Sequence, residues 1–360
     1  MIFDQLTAFP QFSLGQTEKE RLLGLALQEL TELHKEHSPE YRRMLETHPL
    51  PSGTGLARVP FVPVNIFKQH LLRSIPESEV FKIMTSSGTT GQQVSRIVLD
   101  RETAVRQSTA LTKIMTHVLG PRRLPMIIID TPNVVKDRKK FSARGAGVLG
   151  MIPYGRNHYY ALNDDMELDV DGLLTYLSEH EGDPILIFGF TFMVWKYFYQ
   201  RVRELGLDLS GAVLIHSGGW KKLVDEAVDN AEFKASMLRD MGLNRVHNFY
   251  GMVEQVGSIF LEANDGYLRP PNYADVIIRD PDTWAPMPFG EVGVIQVLSV
   301  LPKSYPGHSI LTEDLGIVHG IEGPDGGWAG HRLEVIGRVP KAELRGCSDT
   351  HAEEVQLVSP

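Results

Sequence analysis

The chain has 360 residues, 42% hydrophobic and 22% charged, with a formal net charge of −9. That length suits one large or two fused α/β units, and the acidic balance argues against a nucleic-acid partner or an anionic membrane surface, which both favour basic faces. The single cysteine, Cys347, excludes an internal disulfide and fits a reducing compartment.

The opening Met1-Ile2-Phe3-Asp4-Gln5 lacks a signal-peptide pattern. No apolar run approaches the roughly 20 residues of a membrane span. The expectation is a cytoplasmic protein with no membrane insertion. From Glu18 to Lys35, leucines at 22, 23, 25, 27, 30 and 33 among charged residues predict a helix. Pro49, Pro51, Gly53 and Gly55 end it, and Val59 to Val64 reads as extended chain. From about Val80 short apolar runs alternate with amphipathic stretches. Met126–Asp130, Ile185–Gly189 and Ala212–His216 predict buried strands, and Thr191 to Leu205 a helix. This alternation points to an α/β core with largely parallel strands, whose ligands bind at the carboxyl ends. Lys136 to Lys140 is a basic run that reads as a local patch or, more simply, a solvated turn. After Tyr267, Ala274–Ile278 and Gly293–Leu298 predict a β-rich part. Four regions follow: a helical part at 1–75, an α/β core at 76–266, a β-rich subdomain at 267–335 and a short tail at 336–360.

Five segments carry chemistry. Thr85-Ser86-Ser87-Gly88-Thr89-Thr90-Gly91 sits between two strand-like segments. Its small residues let backbone N–H groups and hydroxyls approach phosphate oxygens. The Gly-Lys-Ser/Thr ending of a Walker A loop is absent. Then come Ser217-Gly218-Gly219-Trp220-Lys221-Lys222, Asn248-Phe249-Tyr250-Gly251-Met252-Val253-Glu254, Leu311-Thr312-Glu313-Asp314-Leu315 and Ile336-Gly337-Arg338. Singly, a Gly-Gly turn or a Gly-Arg pair carries little weight; five in this order carry much more.

Together these segments resemble the adenylate-forming superfamily of acyl-CoA synthetases, aryl-CoA ligases and adenylation domains. The resemblance implies an α/β fold: the family's N-terminal core of layered αβ subdomains with a β-rich subdomain, and a truncated C-terminal domain. It implies ATP and Mg²⁺ as cofactors and a carboxylic acid as substrate. The loop from Thr85 to Gly91 would hold the phosphates, and the loop of Gly218 and Gly219 would lie against the adenine, with Trp220 at the nucleotide. Tyr250 would pack on the adenine, Phe249 and Gly251 would adjoin the nucleotide, Asp314 would hold the ribose hydroxyls and Arg338 would lie near the ribose and phosphates. Glu254 would help hold Mg²⁺, a hard cation that takes carboxylate and phosphate oxygens. Val253 stands where the family has threonine, and Glu313 where glycine is common.

Only residues 339–360 follow Arg338, too few to form the small mobile domain that brings the usual catalytic lysine. Lys221, Lys222 or Lys341 could substitute, with Lys221 preferred. In this compact form, and in Val62-Pro63-Val64-Asn65-Ile66-Phe67-Lys68, the chain resembles the acyl-protein synthetase (LuxE-type) branch. The resemblance implies a fatty acid substrate, acylation of Cys347, and transfer to a partner such as an acyl reductase or a carrier protein. Arg345 is placed to favour the Cys347 thiolate, the competent nucleophile. Two alternatives stand beside this reading: a ligase that delivers the adenylate directly to CoA, an amine or a carrier, and a non-catalytic nucleotide-binding subunit. Phe188 to Trp195 reads either as lining for the acid or as core. His216 reads either as a catalytic group near the reacting carboxylate or as a hydrogen-bonded structural histidine.

Overall fold

The computed structural model describes residues 2–47, 51, 53–86, 94–135, 143–220 and 227–339. Their contacts fall into two units. Among these residues, the first unit holds those up to 86, then 94–117 and 250–339; the second holds 118–249. The strands, in chain order, are β1 (Val62–Pro63), β2 (Lys82–Thr85), β3 (Arg96–Leu99), β4 (Leu124–Ile128), β5 (Gly155–Tyr160), β6 (Leu186–Phe190) and β7 (Val213–Ser217). They continue as β8 (Arg245–Tyr250), β9 (Phe260–Glu262), β10 (Leu268–Arg269), β11 (Ala274–Arg279), β12 (Gly293–Ser299), β13 (Ser309–Glu322) and β14 (Gly330–Arg338).

In the first unit the helix Gln16–His37 buries Leu22, Leu23, Ala26, Leu27 and Leu30, the face that the leucine spacing predicts. It also buries Lys19, which donates to the Pro270 carbonyl at 3.2 Å and lies 3.8 Å from Asp275. Asp275 accepts from Gln16 Nε2 at 2.8 Å and meets His331 Nδ1 at 2.7 Å. A buried charge is tolerable only when its lone pairs and protons are matched in this way. Strands run antiparallel in the order β11-β12-β13-β14-β10-β9. β1 lies parallel to β13, pairing Val62 with Ile310 and Pro63 with Leu311. Because β12 already pairs with Ile310 and Leu311, β1 must occupy the other edge of β13. That edge passes to β14 from Asp314 onward. Thr312 and Glu313 therefore sit where one neighbour ends and the next begins. A separate antiparallel hairpin, β2–β3, pairs Lys82 with Leu99 and Thr85 with Arg96.

In the second unit the strands run parallel in the order β8-β7-β6-β4-β5. Helices Val170–Glu179, Thr191–Val202 and Asn230–Met241 alternate with them. The Asp169 side chain caps the first of these by accepting from Gly172 N, and Asp229 caps the last by accepting from Glu232 N. Gly242, at φ 67°, closes its C-terminus in the left-handed region. The helix expected from Thr191 to Leu205 ends at Val202 and contains a π turn over Val194–Tyr199. The strand expected at Met126–Asp130 runs instead over Leu124–Ile128, because Asp130 N turns back to the Ile128 carbonyl at 2.9 Å. Phe188, Phe190, Phe192, Met193, Val194 and Trp195 are all buried, and most join a core with Ile127, Ile187, Leu214, Phe233 and Met237. Of the two readings of that aromatic run, core packing is the one its side chains adopt.

Two histidines of the first unit, His34 and His308, are buried with no acidic side chain bonded to them among the described residues. His34 Nε2 donates to the Pro302 carbonyl at 3.2 Å while Ser74 Oγ donates to Nδ1 at 2.7 Å. His308 stacks on it with ring centroids 4.9 Å apart. Burial pushes His34 down to about 3 and His308 well below the ordinary histidine range. Unfolded, both bind a proton near pH 6.5. Over the interval below that value the unfolded chain holds more protons than the folded one, so stability is complete above it and falls as pH drops toward about 3. Urea melts across this window should show that decline, and His34→Gln should flatten it by about one proton. Stability that stays level on acidification, or a variant with the wild-type slope, contradicts this assignment.

Candidate active site

In the first unit, β13 carries Thr312, Glu313 and Asp314 to the place where β1 gives way to β14. The Thr312 hydroxyl donates to the Ile295 carbonyl at 2.8 Å and accepts from Asp314 N at 3.1 Å, which fixes the start of the Asp314 side chain. Tyr250, the last residue of β8, donates from its hydroxyl to Asp314 Oδ2 at 2.7 Å. Arg338 is the register partner of Asp314 on β14, with Nε 3.6 Å from Oδ1. Burial raises the Asp314 carboxyl; the Tyr250 hydrogen bond and Arg338 oppose that, and the neighbouring Glu313 charge adds to it. Burial and Asp314 together hold the Tyr250 phenol well above its ordinary value, so it stays a donor. A carboxylate has about four lone-pair sites. With one held by tyrosine, Asp314 retains acceptors suited to a vicinal diol.

Glu254 lies on a short 3₁₀ turn, Val253–Gln255, and its side chain is buried. The turn is anchored through the Tyr305 hydroxyl, which donates to the Glu254 carbonyl at 2.8 Å. Gln255 Nε2 adds a bond to the Gly307 carbonyl at 2.8 Å. Gly257 follows at φ 87°, where a Cβ would stand 2.7 Å from the Gln107 carbonyl oxygen, so only glycine fits there. Burial raises the Glu254 carboxyl; the Ser95 hydroxyl and the Lys68 charge lower it, and the Glu313 charge raises it further. Ser95 also closes the hairpin that carries the Ser/Thr/Gly loop. Its carbonyl accepts from Ser86 N at 3.1 Å, and its amide donates to Ser86 Oγ at 2.9 Å. Among the described residues no group of three or more His, Cys, Asp or Glu side chains is arranged to hold a metal ion. A single buried carboxylate still fits Mg²⁺, because this ion takes one or two carboxylates and completes its shell with water and substrate phosphates.

In the second unit, the carboxyl ends of β6, β7 and β8 bring Thr191, His216, Ser217 and Phe249 together. His216 Nδ1 and Thr191 Oγ1 are 2.9 Å apart, and Ser217 Oγ donates to the Phe249 carbonyl at 2.9 Å. The His216 ring is buried and stacked on Phe233, with centroids 4.7 Å apart. Burial pushes it down to about 3, with Lys234 and His247 acting in the same direction, so it is a neutral imidazole. Its Nε2 is buried and finds no hydrogen-bond partner among the described residues. An orphaned buried nitrogen costs free energy unless a ligand or water completes it. Gly218, at φ 84°, turns the chain away from β7. Trp220 places its ring against Trp195 and Phe233, with centroids 5.7 and 6.3 Å apart.

The structure thus groups Tyr250, Asp314 and Arg338 in the first unit, beside a turn that carries Glu254. Gly251 abuts Ile259 there, where a Cβ would meet Cγ2 at 2.9 Å. Thr85 and Ser86 form the first edge of the loop, whereas Ser87, Gly88, Thr89, Thr90 and Gly91 lie outside the described residues. So do Lys221, Lys222, Lys341, Cys347 and the run Lys136 to Lys140. Sequence reasoning missed Thr191, the partner of His216. A hydroxyl directly after a buried strand, on the side where parallel sheets bind ligands, was the available signal. It also missed Ser95, which nothing in the local pattern marks.

Comparison with known proteins identifies the family. Residues 2–356 match the family model of acyl-protein synthetase, LuxE. The chain is 23% identical over 350 residues to a long-chain-fatty-acid–luciferin-component ligase of Aliivibrio fischeri, covering 94% of this chain and 90% of that one. It is 24% identical over 347 residues to the corresponding ligase of Vibrio harveyi, covering 92% and 87%. Among solved structures it resembles a 2-hydroxyisobutyryl-CoA ligase with TM-score 0.68 and 19% identity, over 91% of this chain and 70% of that one. An open form of the same ligase gives TM-score 0.66 and 20% identity, over 91% and 77%. The fold is that of the adenylate-forming ligases, and the chain belongs to the acyl-protein synthetase, LuxE family.

Proposed function

We infer that the protein uses ATP to activate a carboxylic acid, most simply a long-chain fatty acid, and carries the acyl group on Cys347 before passing it to a partner protein. The observation that carries this reading is the Tyr250–Asp314–Arg338 group, built in the first unit beside the turn of Glu254. The named substrate of the two relatives supports the choice of a fatty acid. A carboxylate oxygen of the acid attacks the α-phosphorus of ATP; the new P–O bond forms as the bond to pyrophosphate breaks, and pyrophosphate leaves with the bonding electrons. Such a reaction needs positioning and charge stabilisation more than covalent help. Asp314 accepts the ribose hydroxyls, Tyr250 orients Asp314 and packs by the adenine, and Arg338 faces ribose and phosphate. His216, neutral and with Nε2 open, offers a hydrogen bond to the reacting carboxylate. Glu254 would hold Mg²⁺ with the phosphates, and the ion would supply countercharge to the phosphate oxygens. In the second step the Cys347 thiolate attacks the acyl carbon, forming a thioester and releasing AMP. A partner such as an acyl reductase or carrier protein then takes the acyl group.

Two experiments test this. Intact-mass measurement after incubation with Mg-ATP and fatty acids from octanoic to hexadecanoic should show a gain of one acyl group. Hydroxylamine should remove it, and Cys347→Ser should lack it. AMP formation with no adduct would sink the carrier step and favour direct delivery to a soluble acceptor. Separately, Asp314→Asn should weaken adenosine and ATP binding alike by about 10- to 100-fold, the value of a charge-assisted hydrogen-bond pair at roughly 1.5–3 kcal/mol. Unchanged affinity would remove Asp314 from the nucleotide site.

A further inference from the structure

We propose that Lys68 binds a phosphate oxygen of the nucleotide and is a further catalytic residue of the adenylation step. This rests on the nucleotide reading above and adds a residue to it.

The geometry places Lys68 from two directions. β1 follows the edge of β13, and Val64 N still donates to the Leu311 carbonyl at 2.9 Å; the chain then leaves that edge beside Thr312 and Glu313. It enters the short helix Ile66–Gln69, held by Lys68 N to the Asn65 carbonyl at 3.0 Å and His70 N to the Ile66 carbonyl at 2.8 Å. Phe67 is fully buried and meets the Tyr305 ring edge-on, with centroids 6.1 Å apart. Tyr305 in turn donates to the Glu254 carbonyl. The residue after Phe67 is thereby held near the turn that presents Glu254.

Electrostatics agrees with the position. Lys68 lies close enough for its charge to stabilise the Glu254 carboxylate, while Glu313 acts against it. Two acids, Glu254 and Glu313, together with Asp314 make this corner unfavourable for phosphates unless cations are supplied. Arg338 supplies one beside Asp314. Lys68 supplies another beside Glu254, as a compact point charge with three donors suited to a phosphate oxygen. Its side chain is half-buried, so the attraction is screened less than at an open surface. Since negative charge shifts from the α-phosphate toward pyrophosphate during attack, a cation fixed there stabilises the transition state.

The test compares binding of ATP, AMP and adenosine to the full chain carrying Lys68→Ala or Lys68→Arg. Lys68→Ala should weaken ATP about 10- to 100-fold, as loss of a charge-assisted bond does. Adenosine affinity should stay at the wild-type value, and Lys68→Arg should recover most of the ATP loss. AMP formation from Mg-ATP and tetradecanoic acid should fall in kcat as well as in apparent ATP affinity. Equal losses for ATP and adenosine would mean that Lys68 only supports the fold locally and would overturn the proposal. Wild-type ATP affinity and turnover in Lys68→Ala would overturn it as well. Failure of the underlying reading looks different: the wild-type chain itself would then bind ATP without forming AMP, and the ratio of ATP to adenosine affinity would still report on Lys68.

Discussion

The register of β13 is the constraint on which the first unit depends. It pairs with β12 along one edge, and with β1 and then β14 along the other. Side chains alternate along a strand, so a slip of one residue would turn Asp314 away from Tyr250 and exchange the roles of Thr312 and Glu313. Two features lock the register. Thr312 bonds both to the Ile295 carbonyl on β12 and to its own strand at Asp314 N. Gly316 faces β14 so closely that a Cβ would lie 2.7 Å from the Glu334 carbonyl oxygen, which excludes any larger residue at that position. The Tyr250–Asp314 hydrogen bond is then a consequence of strand pairing rather than an isolated contact.

The same corner shows how charge is handled. Glu254 and Asp314 are both raised by burial, and Glu313 pushes each in the same direction. Without ligand this is an unfavourable grouping of acids, relieved only in part by Arg338 and Lys68. In the proposed function, a magnesium–nucleotide complex would bring a cation and hydrogen-bond donors to these carboxylates. Perturbed acids of this kind gather where binding or chemistry offsets their cost. His216 belongs to the same class of evidence in the second unit: a buried, neutral imidazole with one nitrogen held by Thr191 and the other open.

What the sequence made legible was local. Apolar runs announced β6 and β7 within a residue, because parallel strands covered on both faces are continuously hydrophobic. The Asn248–Glu254 and Leu311–Asp314 segments stood out since their candidate site residues are neighbours in the chain. Contacts made by tertiary folding were not legible. Tyr250 and Asp314 meet across 64 residues, and Thr191 reaches His216 across 25. Nor does any periodicity reveal that His34 and His308 stack in the core. The aromatic run at Phe188 to Trp195 stayed open for a different reason. Its composition suits a ligand pocket or a core equally, and only the packing around Phe233 decides between them.

Acid-dependent exchange of labelled pyrophosphate into ATP tests the central claim most directly, because it reports adenylate formation whatever acceptor follows. The account predicts exchange that requires both Mg²⁺ and a fatty acid and that persists in Cys347→Ser, since the thiol acts only after the adenylate has formed. A protein that binds ATP yet shows no exchange with any fatty acid would contradict it.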